Sequence, residues 1–342
     1  MPTSYDADNK GRITRWAAMA IKAKIYLFEG NWTQVKNITS TIMTEGGFKL
    51  FGSYAGLFEI ANEYNSEVIL DAQYRPTSRE HQMMYVFLPP TLGGYSQLSP
   101  LQELVDSYIM LDGKTIKETG TSFDESHPYA NRDPRLKATV MYTGNSYTLA
   151  DGTEVVINCE KGEGKDGYGV GSDCSATGYY IKKYWDNAYR ATLYSGLNPI
   201  LIRYADILLM NAEALAELGE LDKTAWDATI KPIRDRAGFT LASAVEFPEG
   251  ASKDKLIEIV RNERRSELAL EGHRHKDIIR WRIADDVLNG WCHGLKTNEV
   301  VGTDNGYVRV ENRAFNANKH YLWPIPQAER DLNGNLVQNP NW

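Results

Sequence analysis

The sequence predicts a mainly α fold built from helical hairpins, with long loops and a few short β-strands between them. Two helix–turn–helix patterns with apolar residues at helical spacing occur far apart, within residues 12–44 and 199–237. A third helical pattern follows at Asp254–Arg282. The segments between these patterns are rich in Gly, Pro and polar residues, which is typical of long connecting loops.

The first hairpin is predicted from Arg12–Glu29 and Trp32–Thr44, separated by Gly30-Asn31. Alanines line one side of the first helix, which allows a neighbouring helix to approach closely. The passage YLFEGNW between the two helices is similar to a tetratricopeptide repeat (TPR), in which a helix with small residues packs against its successor. We therefore expect a tight α-helical hairpin here.

The middle of the chain predicts short strands and irregular segments. Ser66–Tyr74 alternates apolar and polar residues as a strand does, and Pro100–Met110 begins with proline as helices often do. Residues 75–99 lie between them and contain several prolines, glycines and large aromatic residues. A long irregular loop inside a domain is usually functional, so this one is a candidate for ligand binding.

Two further strands are predicted at Lys137–Tyr142 and Tyr179–Trp185, on either side of residues 143–178. These intervening residues are Gly-rich and polar, and we interpret them as a surface loop insertion. Cys159 and Cys174 flank its Gly-rich part, so a disulfide that closes one loop is an alternative to two free thiols.

The second hairpin is predicted from Pro199–Leu218 and Thr224–Ala237, with Gly219 ending the first helix. Pro232 lies inside the second helix and should kink it. A short helix is expected later, at Asp285–Trp291.

Asp254–Arg282 is predicted to be one long helix whose buried stripe includes Leu270 and two carboxylates, Glu263 and Glu267. The two carboxylates are close enough to be a glycosidase pair, but they face other helices, and nearby arginines would keep them ionised. A structural ion network is the favoured interpretation over a catalytic pair. The residues assigned to this network are Arg261, Glu263, Arg264, Arg265, Glu267, Glu271 and Arg274.

Composition and motifs exclude several classes of function. The formal net charge of −7 argues against nucleic-acid binding. His273 and His275 have no companion cluster of ligand residues, so neither a metal site nor a cofactor is expected. The chain has no GxSxG, P-loop or GxGxxG motif that would nominate a catalytic residue, and no apolar run long enough to span a membrane.

Aromatic residues on loops are the best candidates for ligand binding. The chain has 20 Tyr and 8 Trp, whose rings pair an apolar face with a polar group that suits sugars. For each candidate, a merely half-buried or solvated side chain is the alternative. The candidates are Tyr85 and Tyr95 in the first loop, and Trp185, Asp186, Asn187, Tyr189 and Tyr194 before the second hairpin.

Several segments, in order along nearly the whole chain, resemble the SusD/RagB family. The strongest is RNERRSELALEGHRHKDIIRW at Arg261–Trp281. The others are RWAAMAIKAKIYLFEGNW (15–32), NSEVILDAQY (65–74), NRDPRL (131–136), RYADILLMNAEALAELGEL (203–221), IRDRAGF (233–239) and YLWPIPQAERDLNGNLVQNPNW (321–342).

The resemblance implies a single domain over residues 1–342, with TPR-like hairpins arranged as an α-α superhelix. It implies a cell-surface lipoprotein of the outer membrane that binds a glycan or a peptide without hydrolysing it. The partner would be a SusC-like TonB-dependent β-barrel transporter. Compared with the family, the signal peptide, the lipidated cysteine and about the first third are expected to be missing, so the N-terminal lipid anchor would lie outside this chain. The alternatives are a helical-repeat adaptor that binds only protein, and a glycoside hydrolase.

Overall fold

The computed structural model describes residues 1–342 and confirms a mainly α fold with a few short strands. The helices are α1 (Arg15–Glu29), α2 (Trp32–Glu45), α3 (Met83–Phe87), α4 (Gln102–Ser107), α5 (Pro134–Thr139), α6 (Tyr204–Leu218), α7 (Lys223–Ala237), α8 (Ala242–Val245), α9 (Lys253–Glu267), α10 (Arg274–Arg280), α11 (Ala284–Val287) and α12 (Gln327–Leu332). The strands are β1 (Val68–Asp71), β2 (Val140–Met141), β3 (Ser146–Thr148), β4 (Glu154–Val156), β5 (Tyr180–Ile181), β6 (Ile200–Arg203), β7 (Gly290–Lys296), β8 (Thr303–Asp304) and β9 (Tyr307–Arg313).

Helices α1 and α2 form the predicted first hairpin. The Thr14 hydroxyl caps α1 by accepting a hydrogen bond from the Ala17 amide at 3.2 Å. Gly30 ends α1 in the left-handed conformation, with φ of 70°. Ala17, Ala20 and Ala23 are fully buried, so the small side chains do face a packed neighbour as the sequence predicts.

Helix α6 is the centre of the scaffold. Twelve of its 15 residues are buried, because α1, α2, α7 and α9 all pack against it. It begins directly after β6, so the predicted helix 199–218 is a short strand followed by a helix. Helices α6 and α7 form the second predicted hairpin.

The stretch 254–282 is two helices rather than the single one that the sequence predicts. α9 ends at Glu267, and α10 begins at Arg274. Between them Leu270 and Gly272 have φ angles of 64° and 79°, which no right-handed helix accommodates. Leu270 is therefore 38% exposed and does not belong to the buried stripe.

Residues 137–139 are helical, which corrects the first half of the predicted strand 137–142. The Asp133 carboxylate caps α5 by accepting a hydrogen bond from the Arg135 amide at 2.9 Å. Pro134 takes the first helical position, where its missing N–H costs nothing. Only Val140–Met141 pairs as a strand, with β5, and β5 is itself confined to Tyr180–Ile181 of the predicted 179–185.

The strands make four small antiparallel sheets, with orders β1-β6, β2-β5, β3-β4 and β7-β9-β8. Within the predicted surface insertion, β3 and β4 form a hairpin that is anchored to the main core. Tyr147, Ile157 and Cys159 are buried there, because alternate residues of a strand point to opposite faces. Cys159, Cys174 and Cys292 are all free thiols. None of the helices has the length and apolar character needed to cross a membrane.

Candidate functional site

Two loops that are far apart in sequence meet at one place on the surface. The amide of His81 donates to the carbonyl of Ser195 at 2.9 Å, and the amide of Ser195 donates to the carbonyl of His81 at 2.9 Å. The His81 Nε2 atom also lies 2.9 Å from the Leu197 carbonyl oxygen. Below this bridge, β1 and β6 pair and fix the bases of both loops. The loop 75–99 and the segment 185–197 therefore form one surface.

Three tyrosines cluster on this surface, and we call Tyr85, Tyr95 and Tyr194 the tyrosine platform. The rings of Tyr85 and Tyr95 lie 4.4 Å apart between centroids, tilted by 40°. The hydroxyl of Tyr95, together with burial and then with Tyr194, raises the pKa of Tyr85 to about 12. Tyr85 therefore stays neutral at physiological pH, with a hydroxyl that both donates and accepts hydrogen bonds.

The platform is open to solvent at its outer edge. Tyr95 and Tyr194 are 39% and 44% exposed, while Tyr85 is half-buried. The backbone of Tyr95 is held because its amide donates to the Tyr85 carbonyl at 2.9 Å. Rings that are fixed by the backbone and exposed on one side offer a stacking surface at low entropic cost.

The other sequence-predicted candidates hold the loop rather than face solvent. The Asp186 carboxylate accepts hydrogen bonds from the amides of Ile60 at 2.7 Å and Ala188 at 2.9 Å, and its residue is buried. The ring of Tyr189 is also buried. Both residues therefore position the backbone that carries Tyr194.

Trp185 and Asn187 are half-buried and attach this segment to β3. The Trp185 Nε1 and Asn187 Nδ2 atoms both donate to the Thr148 carbonyl oxygen, at 3.3 and 2.7 Å. The Trp185 ring also packs against Tyr147, with centroids 5.0 Å apart. These two residues lie at the edge of the surface and fix its shape.

A second concave region, of about 560 Å³, was not predicted from the sequence. Tyr129 and Tyr142 stack in it with centroids 4.0 Å apart and planes 17° apart. The Lys296 ammonium pairs with the Glu125 carboxylate at 2.7 Å on its rim. Its lining comes from seven separate parts of the chain, and no motif connects them, so sequence patterns could not have found it. Rings and charges together suit a polar ligand.

The carboxylates of α9 lie in a buried ion network that joins the hairpins. Arg135 contacts Glu263 at 2.6 Å and Glu267 at 2.9 Å, and Arg203 contacts Glu267 at 2.5 Å. Glu271 closes the network by pairing with Lys183 at 2.7 Å and with Arg203 at 2.8 Å. Glu67, which the sequence analysis did not single out, pairs with Arg203 at 2.7 Å.

This geometry opposes a general-acid role for the two carboxylates. Burial alone would raise the pKa of Glu263 and of Glu267, but the surrounding guanidinium groups outweigh it and hold both below the usual range. A general acid needs the opposite shift. Both side chains are also fully enclosed, so no substrate reaches them.

The arginines assigned to the network fall into two groups. Arg264 pairs with Asp206 at 2.6 Å and Asp277 at 2.9 Å, and Arg261 pairs with Glu217 at 3.0 Å. Arg265 and Arg274 lie outside the network. Asp277, the carboxylate that acts on Arg274, pairs with Arg264 and Arg280 instead. Arg265 donates only to the backbone carbonyl of Glu103.

His273 does not assemble a metal site. Burial lowers its pKa to about 4, so the imidazole is neutral at physiological pH. It lies near the Arg264 guanidinium, a cation that would repel a metal ion. No group of three or more His, Cys, Asp or Glu side chains is arranged to hold a metal ion.

The chain is similar in sequence and in structure to several SusD-like proteins. It is 28% identical to SusD-like protein P25 from Formosa agariphila over 98% of its length, and it spans 60% of the length of that relative. A SusD-like carbohydrate binding protein from Bacteroides fragilis superimposes with a TM-score of 0.84 at 31% identity, covering 98% of this chain and 68% of the other. A second SusD-like protein from B. fragilis gives a TM-score of 0.82 at 28% identity, covering 100% and 68%.

The model of the SusD family matches residues 56–342, which is most of the chain. The matched part contains both loops of the tyrosine platform, α6 and the ion network. The resemblance inferred from the ordered motifs is thereby confirmed: this chain belongs to the SusD family.

Proposed function

We propose that this protein binds a glycan at the bacterial cell surface, without cleaving it, and passes it to a TonB-dependent β-barrel transporter of the SusC type. The observation that carries this proposal is the tyrosine platform, in which two exposed rings and one half-buried ring are held by two loops on a rigid helical scaffold. Tyrosine rings stack on the apolar faces of sugars, and their hydroxyls bond to sugar hydroxyls.

A glycan suits this surface better than a peptide does. The three tyrosines of the platform carry no charge, whereas peptide recognition commonly uses charged clusters or an added strand. The B. fragilis relative at 31% identity is described as a carbohydrate binding protein, which supports the same ligand class. The enclosed, arginine-bound state of Glu263 and Glu267 supports binding without hydrolysis.

The transporter partner and the location follow from family membership. In the proposed arrangement, a lipid anchor attaches the protein to the outer membrane, and the scaffold faces outward. Co-purification with a SusC-like transporter encoded beside its gene tests this part. Failure to co-purify from detergent-solubilised outer membranes would contradict it.

Affinity electrophoresis against a panel of neutral polysaccharides tests glycan binding. We expect at least one polysaccharide to retard the protein, and the double substitution Tyr85→Ala with Tyr95→Ala to abolish that retardation. Each lost stacking contact is worth about 1 kcal/mol, so two should weaken binding roughly 30-fold. Trp323→Ala is the matched control, because Trp323 is 77% exposed and lies far along the chain, outside both loops.

The outcomes separate glycan binding from the two alternatives. If no polysaccharide retards the protein while transporter co-purification persists, the protein is an adaptor without a soluble ligand. Sugar release that disappears in Glu263→Gln without loss of folding would instead identify a hydrolase.

A further inference from the structure

A groove lies between α9 and α10, on a part of the molecule that shares no residue with the tyrosine platform. It has a volume of about 550 Å³. Arg261 and Arg265 line it from α9, Arg274 from α10, and Trp281 from the end of α10. We call it the arginine groove.

Two of these arginines have no acidic partner, unlike the buried arginines around them. Arg135, Arg203, Arg234, Arg264 and Arg280 each contact at least one carboxylate. The side chain of Arg274 makes no hydrogen bond or ion pair, and the side chain of Arg265 donates only to the backbone carbonyl of Glu103. Both side chains are half-buried, so they have lost part of their hydration without compensation.

The carboxylates of the groove do not neutralise this pair. Glu217 is bound to Arg261 at 3.0 Å, and Glu258 is bound to Lys255 at 3.2 Å. Asp254 lies eleven residues before Arg265 on α9, about 16 Å away along the helix axis. Glu103 and Asp106 act on Arg265, and Asp277 acts on Arg274, but none of them forms an ion pair there, so two unpaired guanidinium groups remain at this end of the groove.

The two unpaired guanidinium groups are near enough to repel one another. Burial, and then the charge of Arg265, lowers the pKa of Arg274 to about 10, while Asp277 acts in the opposite direction. The Nε–H of Arg261 adds a buried donor without a hydrogen-bond acceptor. The ring of Trp281 lies 4.9 Å from the Arg261 guanidinium and 5.8 Å from that of Arg274, which limits the movement of both.

We propose that the arginine groove binds a carboxylate or sulfate group of an anionic ligand. Planar guanidinium groups recognise such oxyanions through paired hydrogen bonds, which would supply the missing acceptors of Arg265 and Arg274. An oxyanion here also relieves the repulsion between the two cations. The site is independent of the tyrosine platform, so the two sites are tested separately.

Thermal unfolding with sodium sulfate, at constant ionic strength against sodium chloride, tests the groove. Sulfate stabilises most proteins gradually by exclusion from their surface, so the specific signal is a rise in Tm that saturates. We expect a saturating rise in the wild type and in Arg282→Gln, and only the gradual rise in Arg274→Gln. Arg282 is the matched control because it is exposed, has no ion pair and lies outside the groove.

Calorimetric titration identifies which oxyanion the groove takes. Glucuronate carries a carboxylate on a sugar ring, and glucose is its neutral counterpart. The proposal is supported if sulfate or glucuronate binds saturably and at least tenfold more weakly to Arg274→Gln. The anion that binds identifies the group as a sulfate or a carboxylate. No saturable response to either anion, or equal responses of wild type and Arg274→Gln, would overturn it. Equal affinity for glucose and glucuronate would overturn it as well.

Discussion

Glu267 shows how a single buried side chain joins several elements. Its carboxylate contacts Arg135 on α5, Arg203 at the end of β6 and Arg236 on α7. Its residue is 0% exposed, so no water replaces a lost partner. A buried ion pair adds little net stability over an apolar pair, but removing one member leaves the others unpaired.

Replacing Glu267 by Gln should therefore lower the free energy of unfolding by about 3 kcal/mol or more. Three guanidinium groups would lose a shared negative charge in a dry environment. Urea denaturation followed by circular dichroism measures the change. Glu258→Gln is the control on the same helix, since Glu258 is 59% exposed and pairs only with Lys255. We expect that change to stay within about 1 kcal/mol. A Glu267→Gln variant as stable as the control would refute the structural role of the network.

At the scale of elements, the turn between α9 and α10 sets the position of Arg274 relative to α9. Leu270 and Gly272 both take left-handed backbone conformations there. Gly272 has open space around the position of a side chain, so its φ of 79° is the only strain that a substitution would meet. The turn lets Arg274 of α10 line the same groove as Arg261 and Arg265 of α9.

Gly272→Ala should lower the free energy of unfolding by about 1 kcal/mol, because a residue with a Cβ atom disfavours the left-handed region. Gly52→Ala is the matched control: its side-chain position is equally open, but its φ is not positive. That control should be neutral or slightly stabilising. Equal effects of the two substitutions on the urea midpoint would show that the left-handed turn is not required.

At the scale of the whole molecule, the buried network makes the free energy of unfolding depend on pH. Burial raises the pKa of Glu271, but Arg203 and Lys183 outweigh it and lower the pKa to about 2. The arginines likewise lower the pKa of Glu263 and of Glu267. As the pH falls, these carboxylates are protonated near pH 4.5 in the unfolded chain but only at lower pH in the folded protein. Their contribution is therefore complete above pH 4.5 and is lost as the pH falls toward 2.

We expect the free energy of unfolding to fall by several kcal/mol between pH 7 and pH 3. The fall should begin below about pH 6.5, since burial lowers the pKa of His273 to about 4 while the unfolded histidine is protonated near 6.5. Urea midpoints measured across this range test the prediction. Glu271→Gln should give a shallower fall between pH 4.5 and pH 3 than the wild type. A wild-type midpoint that is constant from pH 7 to pH 3 would contradict it.

The sequence by itself determined the helical hairpins and the family, and it predicted ion pairing for Glu263 and Glu267. Helical periodicity, glycine helix ends and runs of alanine are local signals, so α1, α2, α6 and α7 were predicted to within a few residues, apart from the strand β6 before α6. The arginines next to Glu263 and Glu267 in the sequence indicated ion pairing. Their partners in the structure, which include Arg135 and Arg203, come from distant segments.

Only the tertiary structure decided which aromatic residues meet and which charges stay unpaired. Tyr85 and Tyr194 share a surface because the His81–Ser195 bridge joins two loops, while Asp186 and Tyr189, which were also predicted to bind the ligand, are buried. Arg265 and Arg274 were predicted to belong to the ion network, but neither pairs with a carboxylate, and Arg265 donates to the Glu103 carbonyl instead. Periodicity reports which face of an element is buried, but the neighbours across that face come from remote parts of the chain, and packing alone brings them together.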